Sequence, residues 1–196
     1  MLALLNPTPD QQIFQSGLTW ADFKLIQKGL ERSSGLRLSY FEGQLEILMP
    51  GKEHEQFVSI IGYLIMTFLT EQGIFFQPTR SMTQEKEGLV STQADESYCI
   101  GTPKALPDLA IEVVFTSGSL QKLLRYRALE IPEVWFWEDG LLRVYHLMGD
   151  EYLQCDRSRL PGLANLDLEQ FSRYVLMAET DAGAAFRAFR QMLLDS

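Results

Sequence analysis

The sequence predicts an α/β chain in which helices pack against a mixed sheet (α+β in layout), and three patterns carry that prediction. Residues 107–115 are an almost wholly apolar run, followed by a small-residue turn at 116–119, a Lys/Arg-bearing segment and a second apolar run, Val134-Trp135-Phe136-Trp137, which together read as strand, helix, strand. The turn signals Glu42-Gly43 and Asp139-Gly140 each separate two segments that read as paired strands. Phe57, Ile60, Ile61, Leu64, Ile65 and Phe68 recur at helical spacing, a wide apolar stripe that needs another element to cover it. No glycine-rich phosphate loop is present, so a doubly wound nucleotide fold is not expected.

Taken in order, residues 1–18 carry Pro7 and Pro9 with little periodicity and read as an extended arm. Thr19 and Asp22 open a helix bearing Phe23, Ile26 and Leu30, which Ser33-Ser34-Gly35 ends. Residues 36–40 alternate at period two and return over 45–49 as a hairpin. Pro50-Gly51 precedes a helix over 52–72, closed by Gly73. Residues 73–80 read as a strand, 82–93 as a polar stretch with a hairpin tip at Glu87-Gly88, and 92–100 as a strand carrying Asp95 and Glu96. After a connection and the strand through Glu112, a helix over 118–130 turns Leu120, Leu123, Leu124 and Leu129 inward. The hairpin of 133–138 and 141–148 follows, then an edge strand at 152–155 and two C-terminal helices, 168–177 and 182–194, within residues 156–196.

With 196 residues and 46% hydrophobic content, the chain fits one domain with a sizeable core. Its longest nearly apolar segment, 57–69, is too short to span a bilayer, and the start of the chain lacks a secretory pattern, so no membrane partner is expected. Cys99 and Cys155 are too few for a disulfide framework or a zinc site, which favours a reduced, cytoplasmic setting. A net charge of −9 argues against nucleic acid as an obvious ligand, because phosphate contacts dominate such binding. Lys122, Arg125 and Arg127 nevertheless cluster just after the Glu112 strand; that cluster is a solvated face first and a phosphate contact second.

Glu112 is the anomaly: an ionised carboxylate inside an apolar strand is costly unless a cation or strong donors meet it. Asp95 is a second strand-borne acid, seventeen residues earlier. If their strands are neighbours, the two carboxylates can share a cleft, where they repel unless a hard cation joins them. Mg²⁺ suits such a pair, since it takes one or two carboxylates and keeps several waters. Lys122 lies near the start of the next helix, where its stem can reach back. Asp108 reads as a cap on backbone donors, Tyr126 as a brace for Lys122, and Trp135, Phe136 and Trp137 as core and sheet surface.

Asp95-Glu96-Ser97-Tyr98, Pro107-Asp108-Leu109-Ala110-Ile111-Glu112-Val113, Lys122 with Tyr126, and Ile131-Pro132-Glu133-Val134-Trp135 resemble a widespread bacterial putative restriction endonuclease family of the PD-(D/E)XK nuclease superfamily. The likeness runs from about residue 36 to 147. It implies a restriction-endonuclease-like core with flanking helices, Mg²⁺ (or Mn²⁺) as cofactor, DNA as substrate and a homodimer. It makes Asp95 the first metal-binding aspartate and Glu112 the glutamate of the (D/E)XK element. Val114 stands where the lysine of that element belongs, and Lys122 fits the position to which related families move it. Glu55 would be the first-helix acid and His54 a histidine typical of the family, while Ala94 replaces a proline that does no chemistry. Two classes of function are then expected: a Mg²⁺-dependent endodeoxyribonuclease, or a binding or regulatory module that kept the nuclease fold. Hydrolysis of a smaller phosphoester is a third.

Overall fold

The computed structural model describes residues 9–115 and 119–195. Most of the turn expected at 116–119, the start of the arm with Pro7, and the side chain of Leu120 lie outside the described residues. In chain order the elements are β1 (Gln11–Ser16), α1 (Trp20–Leu30), β2 (Arg37–Phe41), β3 (Gln44–Met49), α2 (Lys52–Glu71), β4 (Phe76–Pro78), β5 (Thr83–Lys86) and β6 (Val90–Gln93). There follow β7 (Glu96–Ile100), β8 (Leu109–Val114), α3 (Ser119–Ala128), β9 (Glu133–Glu138), β10 (Leu141–Met148), β11 (Glu151–Cys155) and α4 (Leu168–Leu194).

The strands form two sheets. The smaller, ordered β1-β3-β2-β6-β5, is antiparallel throughout. The larger, ordered β11-β10-β9-β8-β7-β4, is antiparallel except where β8 and β9 run parallel across the α3 crossover. In β10's hairpin, Asp139 (φ 53°) and Gly140 (φ 74°) form a two-residue loop between Glu138 and Leu141. Both central residues are left-handed, the geometry whose twist matches antiparallel strands. Thr19 and Asp22 cap α1 reciprocally, the Thr19 hydroxyl accepting from the Asp22 amide and the Asp22 carboxylate from the Thr19 amide.

β8 lies at the centre and is buried on both faces. Leu109, Ile111 and Val113 pack with Ile61, Leu64, Trp135 and Phe171 in the larger core, beneath α2 and α4. Ala110 and Val114 face the other way, with Leu123, Tyr126, Leu129 and Phe136 under α3. Period two therefore commits Glu112 to the α3 side.

Several expectations need correction. The arm contributes β1, which pairs along its whole length with β3; an edge strand exposed on both faces leaves no alternation to read. Residues 92–100 are not one strand. β6 ends in the smaller sheet at Gln93 and β7 begins in the larger at Glu96, because Tyr40 recruits Ser91 on one side and Ile111 recruits Glu96 on the other. The two expected C-terminal helices are both present within α4, divided by a non-helical break at Asp181 (φ −142°, ψ 90°). Leu124 is exposed rather than inward, and Arg125 is buried rather than solvated.

Candidate active site

Asp95 sits where the chain passes from one sheet to the other. Its amide donates to Ile111 O at 3.1 Å, and its Oδ2 accepts from the Val113 amide at 2.6 Å. The last ladder pair of β7 with β8 is Glu96 with Ile111, so one further step sets Asp95 beside Glu112 in the backbone. The seventeen-residue spacing thus closes into a neighbour relationship.

The Asp95 carboxylate meets residues from three other elements. His54, in the first turn of α2, places Nε2 3.0 Å from Asp95 Oδ1, and Arg37 of β2 makes an ion pair with the same oxygen. Arg37 also donates to Glu55 Oε1 at 2.7 Å. On its other side, His54 Nδ1 lies 2.9 Å from Asp10 Oδ2, while Asp10 Oδ1 accepts the Gly51 amide at 2.7 Å. A carboxylate can only accept, so Asp10 sets the ring proton on Nδ1 and leaves the Nε2 lone pair facing Asp95 and the Arg37 guanidinium, 3.1 Å away. Burial holds the His54 pKa below its usual value; Asp10 opposes that shift, and Arg37 and Lys122 reinforce it. His54 is therefore neutral near pH 7.

Glu112 projects toward α3. Lys122 Nζ donates to its Oε2 at 2.5 Å, and the Tyr126 hydroxyl donates to Oε1. Burial by itself pushes the Glu112 carboxyl up, but the Lys122 charge, the hydrogen bonds from Lys122 and Tyr126, and the Arg125 charge outweigh it and hold the carboxyl below its ordinary range. The same carboxylate and burial push the Tyr126 phenol well above its ordinary value, so it stays a donor. Val114, two residues along the same face, packs among apolar side chains of the α3 core. Lys122 reaches the Glu112 carboxylate from the helix instead.

The structure thus gathers Asp95, His54 and Glu55 through Arg37, and joins Lys122 to Glu112. Lys122's charge bears on His54, which places both halves in one electrostatic neighbourhood. Glu55 is at the rim, with its side chain about half exposed (54%). Three participants escaped the sequence reading. Asp10 lay in the presumed arm. Arg37 had a legible signal, a cation on the non-apolar phase of an alternating strand. The third is Glu46 of β3, buried and ion-paired with Arg125. Asp108 does cap the strand entrance, accepting from the Ile100 amide at 2.8 Å and from Lys104 at 2.6 Å. Tyr126 contacts Glu112 itself rather than bracing Lys122.

Among the described residues no group of three or more His, Cys, Asp or Glu side chains converges as a preformed metal cage. A hard cation that takes one or two carboxylates and fills its shell with water does not need one. Asp95 Oδ1 is buried and accepts no hydrogen bond of regular geometry; Arg37 meets it as a charge contact, and His54 turns a lone pair toward it. Two electron-rich atoms 3.0 Å apart, beside a second buried carboxylate, suit a cation, and the Arg37 guanidinium faces both of them here. The donor set of Asp95 and Glu112 fits Mg²⁺ or Mn²⁺.

A fold with a parallel β8–β9 pair at its centre, an acid on β8 and a second acid at the preceding strand is restriction-endonuclease-like. The profile of the family described as Uma2, putative restriction endonuclease, matches residues 20–176, and the chain belongs to that family. Among solved structures it is similar to a crystal structure titled as a putative nuclease belonging to DUF820 from Anabaena variabilis. The two are 18% identical, with a TM-score of 0.57, over 81% of this chain and 99% of that one. That likeness supports the fold. No curated protein matches the chain by sequence. No helix among the described residues is long and apolar enough to cross a membrane.

Proposed function

We propose that the chain is a metal-dependent nuclease that hydrolyses phosphodiester bonds of DNA, with Mg²⁺ (or Mn²⁺) held by Asp95 and Glu112. The observation that carries this reading is the register that makes two buried acids backbone neighbours, with Lys122 bound to one of them. When bound, such an ion lowers the pKa of a coordinated water and offsets charge on the phosphodiester. The remaining work falls to the chain itself. Lys122 Nζ orients water or steadies the phosphate oxygens from its place on Glu112. His54, fixed by Asp10, offers Nε2 as an acceptor beside Asp95, while Arg37 and the Val113 amide keep Asp95 in position and Arg37 holds Glu55 at the rim. Cleavage of both strands of a duplex calls for two such sites and hence a homodimer, and the two free cysteines suit a cytoplasmic setting.

The test is Mg²⁺- or Mn²⁺-dependent nicking of supercoiled plasmid, abolished by Glu112→Ala in a folded variant. A folded, metal-loaded wild type that cuts no DNA or RNA would overturn the reading.

One observation favours a binding or regulatory module. Both Glu112 oxygens are satisfied by Lys122 and Tyr126, on a chain of net charge −9. Titration calorimetry with Mn²⁺ separates the two: heat that vanishes in Asp95→Ala supports the nuclease, and no binding supports the module.

A further inference from the structure

Phe115 follows β8 directly, yet it is 45% exposed whereas every residue of the strand is buried. It is held from below. Trp137 packs on Phe57 at 5.7 Å between ring centroids, Phe57 meets Phe115 at 5.8 Å, and Phe115 meets the His54 ring edge-on at 6.1 Å. An aromatic face is thereby fixed at the lip of the site, next to the histidine that contacts Asp95.

The charges around the site are already committed. Arg37 is paired with Asp95 and Glu55, Lys122 with Glu112, and Arg125 with Glu46. The exposed first turn of α2 sets Lys52 against Glu53 and Glu55. Duplex DNA is bound chiefly by cations that neutralise successive phosphates. Arg37, Lys122 and Arg125 can do so only by giving up the buried carboxylates of Asp95, Glu112 and Glu46, Lys52 is flanked by two exposed acids, and the chain as a whole carries −9. A nucleic acid held here has to gain its affinity from something other than its backbone. Stacking of an unpaired base on an aromatic ring supplies it, tolerates any sequence, and requires a base that is not already stacked in a duplex.

We infer that the substrate is single-stranded or unpaired nucleic acid, with a nucleobase stacked on Phe115 beside the Asp95–His54 pair. This rests on the nuclease reading for what happens to the bound strand, but the binding stands apart from cleavage and is measured separately.

The experiment is fluorescence anisotropy with an end-labelled oligothymidylate of about 12 nucleotides and a hairpin duplex of equal charge. Ca²⁺ replaces Mg²⁺, so that binding is read without turnover. The oligothymidylate is expected to bind at least about tenfold more tightly than the duplex, with a log–log salt slope no steeper than about 2. Phe115→Leu, which keeps an apolar cover over Phe57, is expected to lose about tenfold in affinity, and Phe115→Trp to retain it. Equal or tighter duplex binding, an unchanged Phe115→Leu, or no binding of the oligothymidylate overturns the inference. Cleavage of the oligothymidylate and nicking of plasmid, both in Mg²⁺, are run in parallel. Phe115-dependent binding without cleavage overturns the nuclease reading and leaves this one standing; duplex cleavage indifferent to Phe115 does the reverse.

Discussion

Lys122 Nζ lies 2.5 Å from Glu112 Oε2, and the pair is almost wholly inside the protein, on the face of β8 that α3 covers. An ionised carboxylate is tolerable there because an ammonium and a phenol complete its hydrogen bonding. The pair is therefore structural, and in the proposed nuclease it is chemical as well; the two roles are separable by experiment.

Removing the cation alone leaves a buried charge with only the Tyr126 hydroxyl to meet it. Lys122→Met should destabilise by about 3–5 kcal/mol in urea unfolding, and adding Glu112→Gln should recover part of that loss. Because the Glu112 carboxyl is held below its ordinary 4.5, the unfolded chain takes up the proton first. The pair's contribution is complete above about pH 4.5 and is lost as pH falls through the lowered folded value. Melting temperature against pH should show that acid limb in wild type and a flatter one in Glu112→Gln.

Glu96 behaves oppositely. Burial against α2 raises its carboxyl above 4.5, with Arg80, 3.6 Å away, opposing the shift. The folded state keeps this proton longer than the unfolded one, so stability is full below about pH 4.5 and declines as pH rises through the raised value. Glu96→Gln can still accept from Tyr98 and should raise the melting temperature at pH 7 by about 2–4 °C. Calorimetric scans should find the gain shrinking toward pH 4.5.

Asp10 acts through His54. Asp10→Ala frees the Nδ1 proton, and partners that orient a site histidine are typically worth about 10–100-fold in activity. Nicking should fall by that factor while the fold persists. Side-chain ¹⁵N shifts should move His54 from the Nδ1–H form in wild type toward a tautomer mixture in the variant; an unchanged tautomer would sink the positioning role.

Glu133 is a further buried acid, satisfied wholly by groups of the surrounding fold. Its carboxylate accepts from Trp135 Nε1 and Ser158 Oγ at 2.6 Å each and from the Arg159 amide at 2.8 Å, which staples the segment after β11 to β9. Ser158→Ala removes one donor and should cost about 1–3 kcal/mol in urea unfolding without altering metal binding or nicking.

Much of this was legible in one dimension. Glu112 stood out because a charge inside an apolar run is a local contradiction, and local patterns also located α1, α2, the Asp139-Gly140 hairpin and the β8–α3–β9 unit. The motif order then marked Asp95, and the gap at Val114 pointed to Lys122. The amino-acid sequence by itself determined which residues needed partners, because burial and periodicity are properties of a segment. Only the tertiary structure decided who those partners are. Asp10 reaches His54 across forty-four positions and Glu46 reaches Arg125 across seventy-nine. Asp95 lies at a sheet crossover that a continuous strand pattern conceals. The committed charges around Glu112 and the exposed Phe115 above His54 follow from packing, since a residue's neighbours across a fold leave no mark on its own stretch of chain.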